Sequence, residues 1–143
     1  MKTIHNNISQ KSLEEKNNNR TQIELIHSRL YVLSGKDKFL MTLYIENGYS
    51  IFQISRLTAI AQARIKRRID RISKRLIEGK YIDCLRNRRK FNKMQMAIAK
   101  DHFLTGLSFR RIAKKRNWSI YKVRETIMRI KSILDECECV DTK

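Results

Sequence analysis

Hydrophobic positions in this chain fall into a helical rhythm. Ile23, Ile26, Leu30 and Leu33 recur three and four apart, so they share one face, and Ser34-Gly35 supplies a stop. Asp37 is placed to cap a following helix whose apolar positions are Phe39, Leu40, Leu43 and Tyr44. Asn47-Gly48 ends it, since glycine enters the left-handed conformation without a Cβ penalty. Ser50 then stands at an N-cap position, with Ile51, Ile54 and Leu57 expected on the inner face of a short helix. The turn Thr58-Ala59-Ile60 leads to a longer helix. Ile65, Ile69, Ile72 and Leu76 lie on its inside, and Arg64, Lys66, Arg67, Arg68, Arg71, Lys74 and Arg75 on its outside.

That pattern occurs twice. A shift of 58 positions puts Gly48 on Gly106, Ser50 on Ser108, Ile54 on Ile112, Ile60 on Trp118 and Ile65 on Val123. It also puts Ile69 on Ile127, Arg71 on Arg129, Ile72 on Ile130 and Leu76 on Leu134. A few coincident isoleucines are easy in amphipathic helices. Glycine, cap serine, turn hydrophobe and core positions held together without a gap make an internal repeat. The expected organisation is therefore a first unit over 23–79, a basic linker over 80–92 and a second unit over 93–134. Residues 1–22, polar and Asn-rich, are expected to be disordered, and the acidic tail 135–143 to fray.

Composition sharpens the fold class. Proline is absent and only 4 of the 143 residues are glycine, too few breakers for strands and tight turns, so the expectation is all-α: two small three- to four-helix units in tandem. Charge bears on partners. With 32 Lys+Arg against 14 Asp+Glu the formal net charge is +18, which favours a polyanion. No apolar run approaches the roughly 18–20 residues of a membrane span, and the N-terminus does not read as a signal peptide. No membrane role is expected, and a cytoplasmic, nucleoid-associated location is. The three cysteines, Cys84, Cys137 and Cys139, form neither a disulfide framework nor a four-ligand zinc set, and are expected as reduced thiols.

A helix-turn-helix unit asks for a small or apolar inward residue on its first helix. Its turn needs a helix-ending residue and then a hydrophobe, and its second helix a cap and buried β-branched anchors. The second copy supplies Ile112-Ala113, Asn117, Trp118, Ser119, and Val123 with Ile127. The first has Ala59 and Ala61 at the turn and cap, where alanine is a poor choice. The run Gly106-Leu107-Ser108-Phe109-Arg110-Arg111-Ile112-Ala113, followed by Trp118-Ser119-Ile120-Tyr121-Lys122-Val123-Arg124, resembles the promoter-reading C-terminal domain (region 4) of bacterial sigma factors. The first copy resembles it through Gly48-Tyr49-Ser50, Ile54 and Ile65-Lys66-Arg67-Arg68-Ile69. Together the two likenesses cover about residues 35–76 and 92–134. They depart from the family pattern at Gln53 and Arg111, where it has an acid, and at Ala59 and Asn117, where it has a turn glycine. The resemblance implies duplex DNA as partner, with RNA polymerase as a further one. A complete sigma factor is not expected, because nothing before residue 33 has room for a promoter-melting domain.

Candidate DNA contacts follow from the buried positions. With Val123, Ile127 and Ile130 inside, Ile120, Tyr121, Arg124 and Glu125 face outward at the start of a recognition helix, behind the cap Ser119. Arg124 suits guanine, and Glu125 a cytosine amine. The equivalents in the first copy are Gln62, Ala63, Lys66 and Arg67, where Gln62 suits adenine and Ala63 a thymine methyl. Arg64, Arg68, Arg71, Lys122 and Arg129, with Lys74, flank this edge and suit phosphates. His5, His27 and His102 are scattered without carboxylate or cysteine neighbours, and no nucleophile, phosphate loop or paired acids stand at catalytic spacing. The expectation is therefore no enzyme, no metal and no cofactor. Trp118 is expected in the core. Two other readings stay open: a polymerase- or anti-sigma-type interaction module, and RNA binding through basic helices.

Overall fold

The computed structural model describes the backbone of residues 17–141 and the side chains of residues 17–137. Among the described residues there are eight α-helices and no strand. Helix α1 occupies residues 17–29, and a 3-10 turn, Leu30–Val32, follows. Helix α2 (Gly35–Met41) runs into a turn of π-helix, Thr42–Glu46. Then come α3 (Ile51–Thr58), α4 (Gln62–Glu78), α5 (Lys80–Arg86) and a second 3-10 turn, Arg88–Lys90. Helix α6 (Lys93–Ala99) runs into a second π turn, Lys100–Leu104, and α7 (Phe109–Arg116) and α8 (Ile120–Asp141) complete the order.

Every boundary from Leu30 to the start of α4 returns 58 residues later, from Arg88 to the start of α8. The local chemistry returns with it. Ser50 Oγ accepts from Gln53 N at 3.1 Å, and Ser108 Oγ from Arg111 N at 3.2 Å, so each cap satisfies a donor that α3 or α7 would otherwise leave open. The turns after these helices pass through the left-handed region at Ala59 (φ 59°) and Asn117 (φ 57°). The π turns are the most telling feature, because fewer than about 1% of residues adopt that geometry. In both copies its end is tied the same way: Asn47 N donates to Thr42 O and Tyr49 N to Leu43 O, as Thr105 N does to Lys100 O and Leu107 N to Asp101 O. The repeat is one of backbone as well as sequence.

The chain divides into two compact units, one ending at Ile69 and one beginning at Asp70, so the boundary falls inside α4. In the first, Ile26, Leu30, Leu33, Leu40, Met41, Leu43, Ile54, Ile65 and Ile69 are buried. In the second, Cys84, Phe91, Ile98, Phe103, Ile112, Val123, Ile127, Ile130 and Leu134 form one cluster. Burying each such side chain is worth about 1.5–3 kcal/mol, the main stabilising contribution in units this small.

Several expectations are corrected. Residues 80–92 are no linker: they form α5 and a 3-10 turn and send Cys84 and Phe91 into the second core. Helix α8 continues through Asp141 with Cys137 buried, so the stretch expected to fray is helical that far. Residues 17–22 belong to α1 rather than to a disordered segment; the rest of that expectation, on residues 1–16, lies outside the described residues. Asp37 does not cap α2, whose N-cap position is Ser34; it lies in the first turn and pairs with Arg68. The turn after α3 is 59–61, one residue later than expected. Leu57 (59% exposed), Phe39 (55%) and Ile23 (51%) sit outside. Each matched an apolar spacing, but an eight-residue helix such as α3 buries fully only the residue at the centre of its stripe, Ile54.

Candidate nucleic-acid interface

The face presented at the start of α8 is set by what α8 buries. Val123, Ile127 and Ile130 are fully enclosed, which pins the helix and turns Ile120, Tyr121, Arg124 and Glu125 outward. Tyr121 is 71% exposed and Ile120 48%, so both side chains stand clear of the core at the helix start. Ser119 holds the helix start, its Oγ accepting from Lys122 N at 3.1 Å, so its hydroxyl acts in the fold as a cap. Lys122 lies over the Trp118 ring, 4.0 Å from its centroid, and Trp118 is half-buried rather than enclosed.

The same logic orders α4. Ile65, Ile69 and Ile72 are buried, and Gln62, Ala63, Arg64, Lys66, Arg67 and Arg71 are exposed. No side-chain cap holds its first turn; Ala61 O accepts from Arg64 N and Ile65 N, each at 3.1 Å. Arg68 departs from its expected place as an open phosphate contact. Its Nε and Nη2 both donate to Asp37 Oδ1, at 2.9 and 2.7 Å, a charge-assisted pair that fixes the guanidinium to α2. Arg64, Lys66, Arg71, Arg124 and Arg129 have no ion-pair partner among the described residues, and remain available to an anion. Glu125 and Arg129 also line an open groove with Trp118, Met94 and Met128.

Sequence reasoning missed a second cationic element. Helix α7 carries Arg110, Arg111, Lys114, Lys115 and Arg116 and no acid. Two of these are anchored: Lys115 Nζ is 2.9 Å from Asp101 Oδ1 and Arg116 Nε 3.0 Å from Asp101 Oδ2, while Asp101 is only 3% exposed. Arg110, Arg111 and Lys114 stay exposed. The signal was available, since the repeat aligns Asp101 with the buried Leu43, an acid where the other copy is apolar. At the positions equivalent to Arg110 and Lys115, α3 has Phe52 and Leu57, 53% and 59% exposed. One scaffold thus presents a densely cationic first helix in one copy, and in the other a first helix that exposes Phe52 and Leu57 beside Gln53 and Arg56.

Two neighbouring groups have shifted proton affinities. Burial pulls the His102 pKa below its usual value. A hydrogen bond with Leu107 O opposes this, and the positive charges of Lys131, Arg75 and Lys80 reinforce it. Burial, with Asp83 adding to it, pushes the Cys84 thiol up to about 11.

Comparison with protein-family models, with curated proteins and with solved structures finds no match to this chain. No helix among the described residues is long and apolar enough to cross a membrane.

Proposed function

We propose that this protein is a sequence-specific, duplex DNA-binding regulator of transcription that uses two helix-turn-helix units. The observation that carries the reading is the repeated backbone: a capped first helix, a left-handed turn and a second helix whose outward first turns hold Gln62, Ala63, Lys66 and Arg67 in one copy and Ile120, Tyr121, Arg124 and Glu125 in the other. A second helix held by its β-branched residues, with its first turns clear of the body, suits the major groove. Arg64, Arg71, Lys122 and Arg129 flank those turns and suit phosphates. Arg110, Arg111 and Lys114 suit them too, because the first helix of such a motif crosses the backbone. The resemblance to sigma region 4 supports the same reading.

The experiment is duplex binding as a function of salt. Six to nine phosphate contacts predict a slope of log K against log salt of roughly −5 to −8. Arg124→Ala should relax base choice at one position by about 1–3 kcal/mol, whereas Arg110→Ala should weaken all duplexes alike. If Arg124→Ala leaves the preference untouched, α8 is not the reading helix. A second reading, a docking module for RNA polymerase or another protein, is favoured in the first unit by the exposed Phe52 and Leu57. It predicts that Phe52→Ser changes partner capture and leaves DNA affinity unaltered.

A further inference from the structure

The repeat fixes more than where the second helices begin. Helices α4 and α8 start 58 residues apart and bury the same register: Ile65, Ile69 and Ile72 in one, Val123, Ile127 and Ile130 in the other. The four outward positions of each helix therefore match pair by pair, and all eight side chains are exposed. Their chemistry does not match. Gln62, an amide that both donates and accepts, stands against the branched hydrocarbon of Ile120. Ala63, which ends at its Cβ, stands against Tyr121, 71% exposed. Lys66 and Arg124 are both cations. Arg67 and Glu125 carry opposite charges, and neither has an ion-pair partner among the described residues.

We propose that the target is a composite duplex site of two unlike half-sites, one for each unit, which share a guanine and carry opposite bases at the neighbouring position. This rests on the DNA-binding reading above and adds the kind of sequence that is bound. In the major groove guanine offers two acceptors, N7 and O6, whereas cytosine offers an amine donor. A guanidinium only donates and a carboxylate only accepts. Presented at one register of the same backbone, Arg67 selects guanine, while Glu125 selects cytosine and is repelled by the guanine acceptors. Gln62 makes two hydrogen bonds to adenine, whereas Ile120 makes none and meets a thymine methyl. Ala63 lets the backbone come close to a base, and the Tyr121 ring holds it off. Lys66 and Arg124 both donate, so their guanine is common to the two halves. Identical helix-turn-helix units, as in symmetric dimers, bind halves related by symmetry. Units that differ in kind at three of their four outward positions bind halves that no symmetry relates.

The test is selection of bound duplexes from a random pool by the full chain and by a variant that copies one face onto the other: Gln62→Ile, Ala63→Tyr, Lys66→Arg and Arg67→Glu together. All four positions are exposed, so circular dichroism should keep its helical signal. The parent should enrich two unlike half-sites, and the variant two like ones. Should the variant lose its helical signal, Glu125→Arg alone carries the test. In competition between duplexes that differ by one inverted base pair, it should reverse the choice from cytosine to guanine, each protein preferring its own base by roughly 5- to 150-fold. Identical halves in either orientation, a single enriched half, a folded variant that enriches the parent's sequence, or an unreversed choice in Glu125→Arg would each overturn the proposal and leave DNA reading in place. An unenriched pool would remove the DNA reading itself, and the proposal with it.

Discussion

Gly106 and Gly48 occupy equivalent positions in the two copies, which makes substitution by alanine a controlled experiment. Both have positive φ, 80° and 69°, so a Cβ meets the same local strain, about 1–2 kcal/mol, partly offset by the lower entropy of the unfolded alanine chain. At Gly48 nothing lies within 4 Å of the added Cβ, and a net loss of about 1 kcal/mol is expected. At Gly106 the Cβ lands 2.6 Å from Arg75 Nε and 2.8 Å from its Cζ. The guanidinium is flexible enough to swing away, but it must then abandon the bond that Nη1 donates to His102 O at 2.8 Å. A hydrogen bond to a charged donor is worth about 1.5–3 kcal/mol, so Gly106→Ala should cost about 2.5–4 kcal/mol in all. Urea unfolding of both variants measures this, and hydrogen exchange of α7 and α8 amides locates it. In an Arg75→Ala background the extra cost should vanish, leaving Gly106→Ala no worse than Gly48→Ala. Equal losses in the Arg75 parent, or an excess that survives Arg75→Ala, would refute the contact as its cause.

The remaining predictions use the same structure. Ala59 is exposed at φ 59°, so Ala59→Gly should stabilise the first unit by about 0.5–1 kcal/mol, read as a rise in the urea midpoint; a drop contradicts the strained turn. Asp101→Asn should destabilise the second unit by about 1–2 kcal/mol, a figure held down because Lys115 is half exposed to water; an unchanged melting temperature would show the triad contributes nothing. The His102 pKa is lowered on folding, so the unfolded chain binds more protons between the folded value and about 6.5. Stability should therefore decline as pH falls below that point, and His102→Gln should decline less steeply; superimposable pH profiles for the two proteins would remove His102 from the account.

The sequence made the helical class and the repeat legible because both rest on periodicity, and periodicity survives without coordinates. The outward residues of α4 and α8 were legible for the same reason, being fixed by the buried isoleucines and valine across the helix. Pairings between distant positions were not. Arg68 looked like any other member of a basic face until α2 brought Asp37 beneath it. Lys115 and Arg116 are separated from Asp101 by a turn and a cap whose geometry only the fold supplies. The stretch 80–92 misled through composition: its arginines suggested a solvated linker, while Cys84 and Phe91 decided where it sits. Leu57 and Phe39 misled through spacing, since apolar surface at the right interval is buried only if a neighbouring element reaches it.

Exposed positive charge is not confined to α4. Helix α4 is densely basic, but Arg68 is engaged, and α7 offers Arg110, Arg111 and Lys114 where α3 offers Phe52, Gln53 and Arg56. The second unit thus pairs the outward first turn of α8 with a cationic α7.

The most direct test of the central claim is selection of bound sequences from a pool of random duplex DNA, followed by sequencing. The account predicts one enriched sequence, and its enrichment should collapse when Arg124 and Arg67 are both replaced by alanine. Recovery of an unenriched pool, or the same enrichment with both arginines absent, would contradict it.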